Sequence, residues 1–171
     1  AERAIFQPLF TTSFLIEHFM RSNDWFGAEA LLMTSASSKT SLGLAMVAKN
    51  LSPEIRRIGL TSAGNKAFVE QSGLYDEVLT YDDLPAADAA KPTVSVDFAG
   101  NGQLLASIHA HWGDNLKFSS MVGATHISER GGADDLQGPK PVLFFAPTAA
   151  AYLAMLANEV APSRGLMCHL E

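Results

Sequence analysis

Small hydroxyl side chains are concentrated in one short stretch of this sequence, between two apolar runs. The stretch from Thr34 to Ser41 reads TSASSKTS and carries a single charged residue. Residues 29–33 before it are typical of a buried strand, and residues 39–51 after it have apolar side chains at helical spacing. A loop of small residues leaves amides unpaired at the start of the helix, where the helix dipole favours an anion. The pattern predicts a phosphate-binding loop with these donors: Ser35, Ser37, Ser38, Lys39 and Thr40.

This loop departs from Gly-x-Gly-x-x-Gly, the fingerprint of dinucleotide-binding proteins. When the strand–helix junctions are aligned, Ala36, Ser38 and Ser41 occupy the three glycine positions. Such small side chains still let a pyrophosphate approach the backbone, although they adopt positive φ less readily than glycine. A helix that is simply capped by serine would show a similar sequence, because serine is a common N-cap. Both interpretations stay open.

Segments with the pattern of strands and of helices alternate along the chain. We expect strands near 29–34, 57–61, 77–81, 93–97, 117–122 and 142–146. We expect helices near 8–23, 39–51, 65–72, 103–112 and 148–160. Alternation at this spacing predicts an α/β fold, a doubly wound parallel sheet (Rossmann) of about six strands with helices on both faces.

Charge and composition limit the classes of partner. The 171 residues have a net charge of −6, with 47% hydrophobic and 18% charged residues, which indicates a folded domain and argues against a nucleic-acid surface. No apolar run is long enough to span a membrane, no secretory signal is visible, and the lone Cys168 suits a reducing compartment. We therefore expect a cytoplasmic protein that binds neither nucleic acid nor membranes.

The chain divides into three expected regions. Residues 1–26 form an N-terminal helix region, and residues 27–160 form the Rossmann dinucleotide-binding domain. Residues 161–171 read as a tail, which a cloning remnant would explain.

The end of the second predicted strand bears on the choice of cofactor. NAD-preferring sites place Asp or Glu there to hold the ribose 2′-hydroxyl. Here the strand runs into TSAGNK at 61–66, and no carboxylate occurs before Glu70. Ser62, Asn65 and Lys66 could instead bind a 2′-phosphate, so NADP(H) is the expected cofactor. The alternative is a capped second helix with Lys66 in solvent.

Other polar residues near the predicted strand ends have different assignments. Asp97 is expected to cap the turn that follows it rather than to contact a cofactor. His109 and His111 are two apart on a predicted helix and point to different faces, so no metal site is predicted. The fifth predicted strand is followed by three residues that would meet a ligand: Gly123, Ala124 and His126.

Taken together, several segments resemble the cofactor domain of the medium-chain dehydrogenase/reductase superfamily in its zinc-independent, quinone-reductase-like form. The resemblance runs from about 14 to 146 and is carried by 27–33, 35–41, 58–62, 72–78, 96–100 and 121–123. Segments 6–14, 35–40, 122–126 and 144–147 further resemble a branch of that superfamily that has no assigned substrate. The resemblance implies NADP(H)-dependent hydride transfer to or from a carbonyl or conjugated alkene of a small-molecule substrate. It also implies that Gly123, Ala124 and His126 lie near the nicotinamide.

Members of that superfamily carry a β-rich catalytic domain ahead of the cofactor domain, and this sequence does not include one. The resemblance therefore implies a fragment that is inactive alone, and its catalytic residues are unknown. A second copy could cover the open wall, so a homo-oligomer is also considered. The rival hypothesis is a non-catalytic nucleotide-sensing or scaffold domain with an altered phosphate loop.

Overall fold

The computed structural model describes residues 2–122, 136–144 and 167–168. Within these residues seven strands form one sheet. The strands are β1 (Ala30–Met33), β2 (Arg56–Thr61), β3 (Glu77–Thr80), β4 (Thr93–Asp97), β5 (Leu116–Val122), β6 (Val142–Phe144) and β7 (Met167–Cys168). The α-helices are α1 (Glu2–Ser22), α2 (Lys39–Leu51), α3 (Lys66–Gln71) and α4 (Gly102–Trp112). Short 3-10 turns lie at Asp24–Gly27, Ala63–Asn65, Leu84–Ala86 and Gly113–Asn115.

The strand order is β3-β2-β1-β4-β5-β6-β7. The first six strands are parallel, and β7 adds to β6 in the antiparallel direction. The chain winds outward from β1 on one side and from β4 on the other, as in doubly wound Rossmann sheets. In such sheets ligands bind outside the carboxyl ends of the strands, where the order reverses. That point lies between β1 and β4.

The side chains of β1 alternate between two hydrophobic cores, one on each face of the sheet. Leu31 and Met33 pack in the core that contains much of α1 and α2. Ala30 and Leu32 pack in the other core, with residues of α4. All four residues of β1 are buried. A parallel strand covered on both faces therefore shows an uninterrupted apolar sequence.

The predicted fold class is confirmed, and several elements have their predicted bounds. Helix 39–51 and strand 93–97 begin and end as expected. The helix expected at 8–23 begins earlier, at Glu2, and the one expected at 65–72 begins only at Lys66 because a 3-10 turn precedes it. The helix expected at 148–160 lies outside the described residues. No strand was expected in 161–171, where β7 pairs with β6.

Helices α1 and α2 approach each other closely beside the predicted phosphate loop. A Cβ on Gly43 would lie 2.7 Å from Ser13 Oγ, so a larger residue at this contact would force Ser13 to move. The single hydroxyl proton of Ser13 is shared between the carbonyls of Thr40 at 2.9 Å and Leu9 at 3.0 Å. Helix α1 therefore holds the first turn of α2 in place.

Candidate functional site

The loop between β1 and α2 is held in shape by its own backbone and by β2. Ser35 has a φ of +47°, a left-handed conformation that costs a residue with a side chain about 1–2 kcal/mol. The Ala36 amide donates to the Leu60 carbonyl at 2.9 Å, and the Ser38 amide donates to the Ser35 carbonyl at 2.8 Å. Ala36 is buried, whereas Lys39 at the start of α2 is exposed. The loop therefore has a buried base and an accessible helix start.

Ser38 is the N-cap of α2, since its Oγ accepts a hydrogen bond from the Ser41 amide at 3.3 Å. The capping expected under the simpler interpretation therefore occurs. It uses one amide of the first turn, while the Thr40 amide donates to no other group of the described residues. No acidic residue lies in this turn. The residues present fit a diphosphate, because a capped helix start with an adjacent lysine still favours an anion.

Two loops that lie 28 residues apart in sequence meet at the carboxyl edge of the sheet. Asn65 Nδ2 donates a hydrogen bond to Ser37 Oγ at 3.1 Å. Ser37 belongs to the loop after β1, and Asn65 ends the 3-10 turn after β2. The structure thus brings together two of the residues that the sequence predicted for the site.

The other two residues predicted to bind a 2′-phosphate belong to the same connection after β2. Ser62 directly follows β2 and is exposed, and Lys66 begins α3. Lys66 Nζ lies 4.0 Å from Glu70 Oε1, and these side chains are 36% and 52% exposed. An exposed pair of this kind contributes only a few tenths of a kcal/mol, so a phosphate could replace Glu70.

Tyr75 is a residue of this site that the sequence analysis missed. Its hydroxyl donates to the Ala36 carbonyl at 2.8 Å and lies 3.0 Å from Ser41 Oγ. Since the single phenolic proton is already used, the Ser41 hydroxyl donates to the Tyr75 oxygen. Burial raises the pKa of Tyr75 well above its ordinary value of 10, against a smaller lowering by the Ser41 contact. The hydroxyl therefore stays protonated and able to donate.

Gly59 was a sequence signal that another part of the chain lies close to β2, although it did not identify Tyr75. A glycine inside a strand often marks the close approach of another part of the chain. Here a Cβ on Gly59 would lie 2.9 Å from both Ala36 Cβ and Tyr75 Cδ1.

Asp97 has the structural role that its sequence context predicted. Its Oδ1 accepts hydrogen bonds from Thr34 Oγ1 at 2.6 Å and from the Ala99 amide at 3.1 Å. Its Oδ2 accepts from the Gly100 amide at 3.1 Å. Both carboxylate oxygens therefore bind groups of the chain itself.

The two histidines of α4 point to different elements, as predicted. His109 is buried, with Nε2 2.9 Å from Ser119 Oγ and Nδ1 2.8 Å from the Gln137 carbonyl. His111 Nε2 instead lies 2.9 Å from the Ala87 carbonyl. The predicted nicotinamide-side residues lie outside the described residues: Gly123, Ala124 and His126.

Two further properties concern only the part of the chain that the structure describes. No group of three or more His, Cys, Asp or Glu side chains there could hold a metal ion. None of its helices combines the length and the apolar character needed to cross a membrane.

Solved structures with a similar fold include two named as oxidoreductases. The D-arabinose dehydrogenase from Sulfolobus solfataricus is 16% identical, with a TM-score of 0.54 over 67% of this chain. A candidate NADPH:quinone reductase from Mesorhizobium loti is 17% identical, with a TM-score of 0.59 over 90% of this chain. The chain spans 37% of the first protein and 45% of the second. At such low identity the likeness shows a shared fold.

The sheet order and the loops at its carboxyl edge define a Rossmann-like α/β domain. The family described as "Protein of unknown function (DUF2855)" has a model that matches residues 1–158, and the chain belongs to that family. No curated protein matches the sequence significantly.

Proposed function

We propose that this chain is the NADP(H)-binding domain of an oxidoreductase. The observation that carries the proposal is the 3.1 Å hydrogen bond between Asn65 and Ser37. It joins the loops after β1 and β2, and a dinucleotide on a Rossmann sheet contacts both of these loops. The likeness to two proteins named as a dehydrogenase and an NADPH:quinone reductase supports a nicotinamide dinucleotide over other nucleotides.

Each predicted residue has a role in this proposal. The diphosphate binds at the start of α2, to Ser35, Ser37, Ser38, Lys39 and Thr40. The 2′-phosphate binds after β2, to Ser62, Asn65 and Lys66. The nicotinamide lies near Gly123, Ala124 and His126. The bound cofactor would supply hydride chemistry toward a carbonyl or conjugated alkene of a small molecule, while the chain binds and orients it.

Two further parts of the proposal concern the cellular location and the assembly of the protein. We propose a cytoplasmic location, on the basis of the single cysteine of the sequence. We also propose that the activity belongs to a larger assembly, formed with a catalytic domain or with a second copy. No residue is proposed as the proton donor.

The choice of cofactor can be tested by titrating the protein with NADPH and with NADH. We expect the wild type to prefer NADPH, and Lys66→Gln to weaken NADPH binding about tenfold with little effect on NADH, because a charged hydrogen bond to the phosphate is lost. Lys117→Gln is a matched control, since Lys117 is exposed at the opposite, amino end of β5. Equal affinity for both cofactors would contradict the assignment of the 2′-phosphate site.

The capped start of α2 favours a second candidate, a non-catalytic nucleotide-sensing or scaffold domain. The Ser38 hydroxyl already occupies one of the amides that a phosphate would otherwise bind. Under this alternative the altered loop binds either cofactor weakly or not at all, and an absence of binding even at millimolar concentration favours the scaffold. The same titration therefore distinguishes the two candidates.

A further inference from the structure

We propose that Tyr75 is a positioning residue that holds the phosphate loop in the shape that glycines give to other dinucleotide-binding loops. The inference rests on the proposed function, because it assigns Tyr75 to the diphosphate end of that site. Tyr75 acts through the loop and is not itself assigned a contact with the cofactor.

The Tyr75 hydroxyl contacts the loop between β1 and α2 and the first turn of α2. Its two partners are the Ala36 carbonyl at 2.8 Å and the Ser41 hydroxyl at 3.0 Å. Ala36 and Ser41 occupy the first and third glycine positions of the fingerprint. One hydroxyl group therefore links both ends of the segment whose glycines have been replaced. The proposed diphosphate donors lie between these two points, apart from Ser35, which directly precedes Ala36.

Arg57 of β2 binds the residues directly before and after Tyr75. The Arg57 side chain donates to the Leu74 carbonyl at 3.1 Å and to Asp76 Oδ1 at 2.8 Å. The Arg57 amide donates to Asp76 Oδ2 at 2.7 Å. Since Leu74 and Asp76 flank Tyr75, the backbone on either side of the ring is fixed to β2.

Strand β2 leaves room for the Tyr75 ring at Gly59. Any side chain on Gly59 would collide with Tyr75 Cδ1 and Ala36 Cβ, each 2.9 Å from the position of its Cβ. The ring therefore lies in a space that glycine keeps open, next to the loop it contacts.

The loop between β1 and α2 needs an external contact to keep its conformation. Ser35 is in the left-handed region, with a φ of +47°, and strain of this kind persists only where surrounding groups maintain it. Without the phenol oxygen, the Ala36 carbonyl would lose this donor and the Ser41 hydroxyl its acceptor. We expect the loop to relax and the amide and hydroxyl donors to lose their alignment with the diphosphate.

The experiment compares Tyr75→Phe with Tyr81→Phe. Both variants remove one phenol oxygen, but Tyr81 packs against the core on the other face of the sheet from Tyr75. NADPH binding is measured by calorimetry at a temperature where all proteins are folded by circular dichroism. We expect Tyr75→Phe to weaken NADPH binding about fivefold or more, and Tyr81→Phe to leave it unchanged.

A second ligand separates positioning of the loop from general damage. Adenosine 2′-monophosphate lacks the diphosphate, so its affinity should change less than twofold in Tyr75→Phe. Ser41→Ala is the second variant, because it removes the other partner and replaces a buried serine by a strong helix former. It should weaken NADPH binding in the same direction even if Tyr75→Phe folds poorly.

The outcomes are distinguishable. If the wild type binds NADPH, and Tyr75→Phe and Ser41→Ala bind it as tightly as the wild type, the role of Tyr75 is overturned while the proposed function stands. If Tyr75→Phe weakens the binding of NADPH and of adenosine 2′-monophosphate by the same factor, Tyr75 is only a structural residue and the inference is also overturned. If the wild type binds no NADPH, the proposed function fails and the inference fails with it.

Discussion

Thr34 Oγ1 donates a hydrogen bond to Asp97 Oδ1 across 2.6 Å, and this bond joins the carboxyl ends of the neighbouring strands β1 and β4. The same oxygen of Thr34 accepts hydrogen bonds from the amides of Phe98 at 2.8 Å and Ala99 at 3.0 Å. A single buried hydroxyl group therefore orders the turn after β4 at the point where the strand order reverses. Any ligand bound in the crevice would lie above this bond.

Thr34→Val should destabilise the protein by about 2–4 kcal/mol, because the isosteric change removes three hydrogen bonds and leaves the Phe98 amide without its Thr34 acceptor. The measurement is the free energy of unfolding in urea. Thr93→Val is the matched control, since Thr93 is also fully buried in a strand but makes one side-chain hydrogen bond, to the Lys91 carbonyl at 2.8 Å. The control should cost about 1 kcal/mol. Equal losses in the two variants would contradict the special role of Thr34.

Gly59→Ala should destabilise the fold by about 1–3 kcal/mol, because the added methyl group overpacks the space beside Tyr75 and Ala36. The control is Gly64→Ala, where a Cβ would meet nothing within 4 Å. Its unfolding free energy should stay within about 0.5 kcal/mol of the wild type. Thermal unfolding of both variants measures the difference, and a neutral Gly59→Ala would show that the ring can move away at no cost.

Arg57→Lys should cost about 2 kcal/mol, because lysine cannot supply the forked set of donors that reaches Ile55, Leu74 and Asp76. The neighbouring Arg56 is the control. It pairs with Glu77 at 3.1 Å on the surface, where its side chain is 47% exposed, compared with 8% for Arg57. Arg56→Lys should change stability by less than about 0.5 kcal/mol. Similar costs at the two positions would be inconsistent with this account.

The stability of the fold should fall as the pH drops below about 6.5, because burial lowers the pKa of His109 from its ordinary value of 6.5. The unfolded chain then binds a proton that the folded chain excludes, so the free energy of unfolding decreases with falling pH until the folded-state pKa is reached. The hydrogen bonds of the buried ring suit its neutral form. Its Nδ1 already donates to the Gln137 carbonyl, which leaves Nε2 to accept from the Ser119 hydroxyl.

The measurement is the urea midpoint at about pH 7.5 and about pH 5.5, on either side of the ordinary histidine pKa. His109→Asn should show a smaller loss between the two pH values than the wild type. His111→Asn removes a histidine from the same helix and should keep the wild-type loss. A wild-type midpoint that does not change with pH would refute the prediction.

Local patterns in the sequence were sufficient for most of the fold. The apolar run of β1 and the helical spacing of α2 depend on neighbouring residues, so they could be read directly. The helix predicted at 65–72 was expected to begin one residue too early, because a 3-10 turn and an α-helix have similar sequences. Strand β7 was missed because two residues are too few to show any periodicity.

The candidate site was only partly predictable, because its contacts join distant parts of the chain. The rule that ligands bind at carboxyl strand ends selected Ser37 and Asn65 separately, but not the hydrogen bond between them. Tyr75 was missed because its partner Ala36 is 39 residues away and no local motif connects the two. Likewise, the left-handed Ser35 follows from the tertiary contacts of the loop, since serine has no preference for that conformation.

The close approach of Ser13 and Gly43 has a mechanical consequence for recognition. Because Ser13 of α1 contacts both the Thr40 carbonyl and the position of Gly43, a tilt of the opening turn of α2 would disturb its packing against α1. Under the proposed function, phosphate groups of different shape would therefore be accommodated mainly by rotation of the Lys39 and serine side chains, with little movement of the helix backbone.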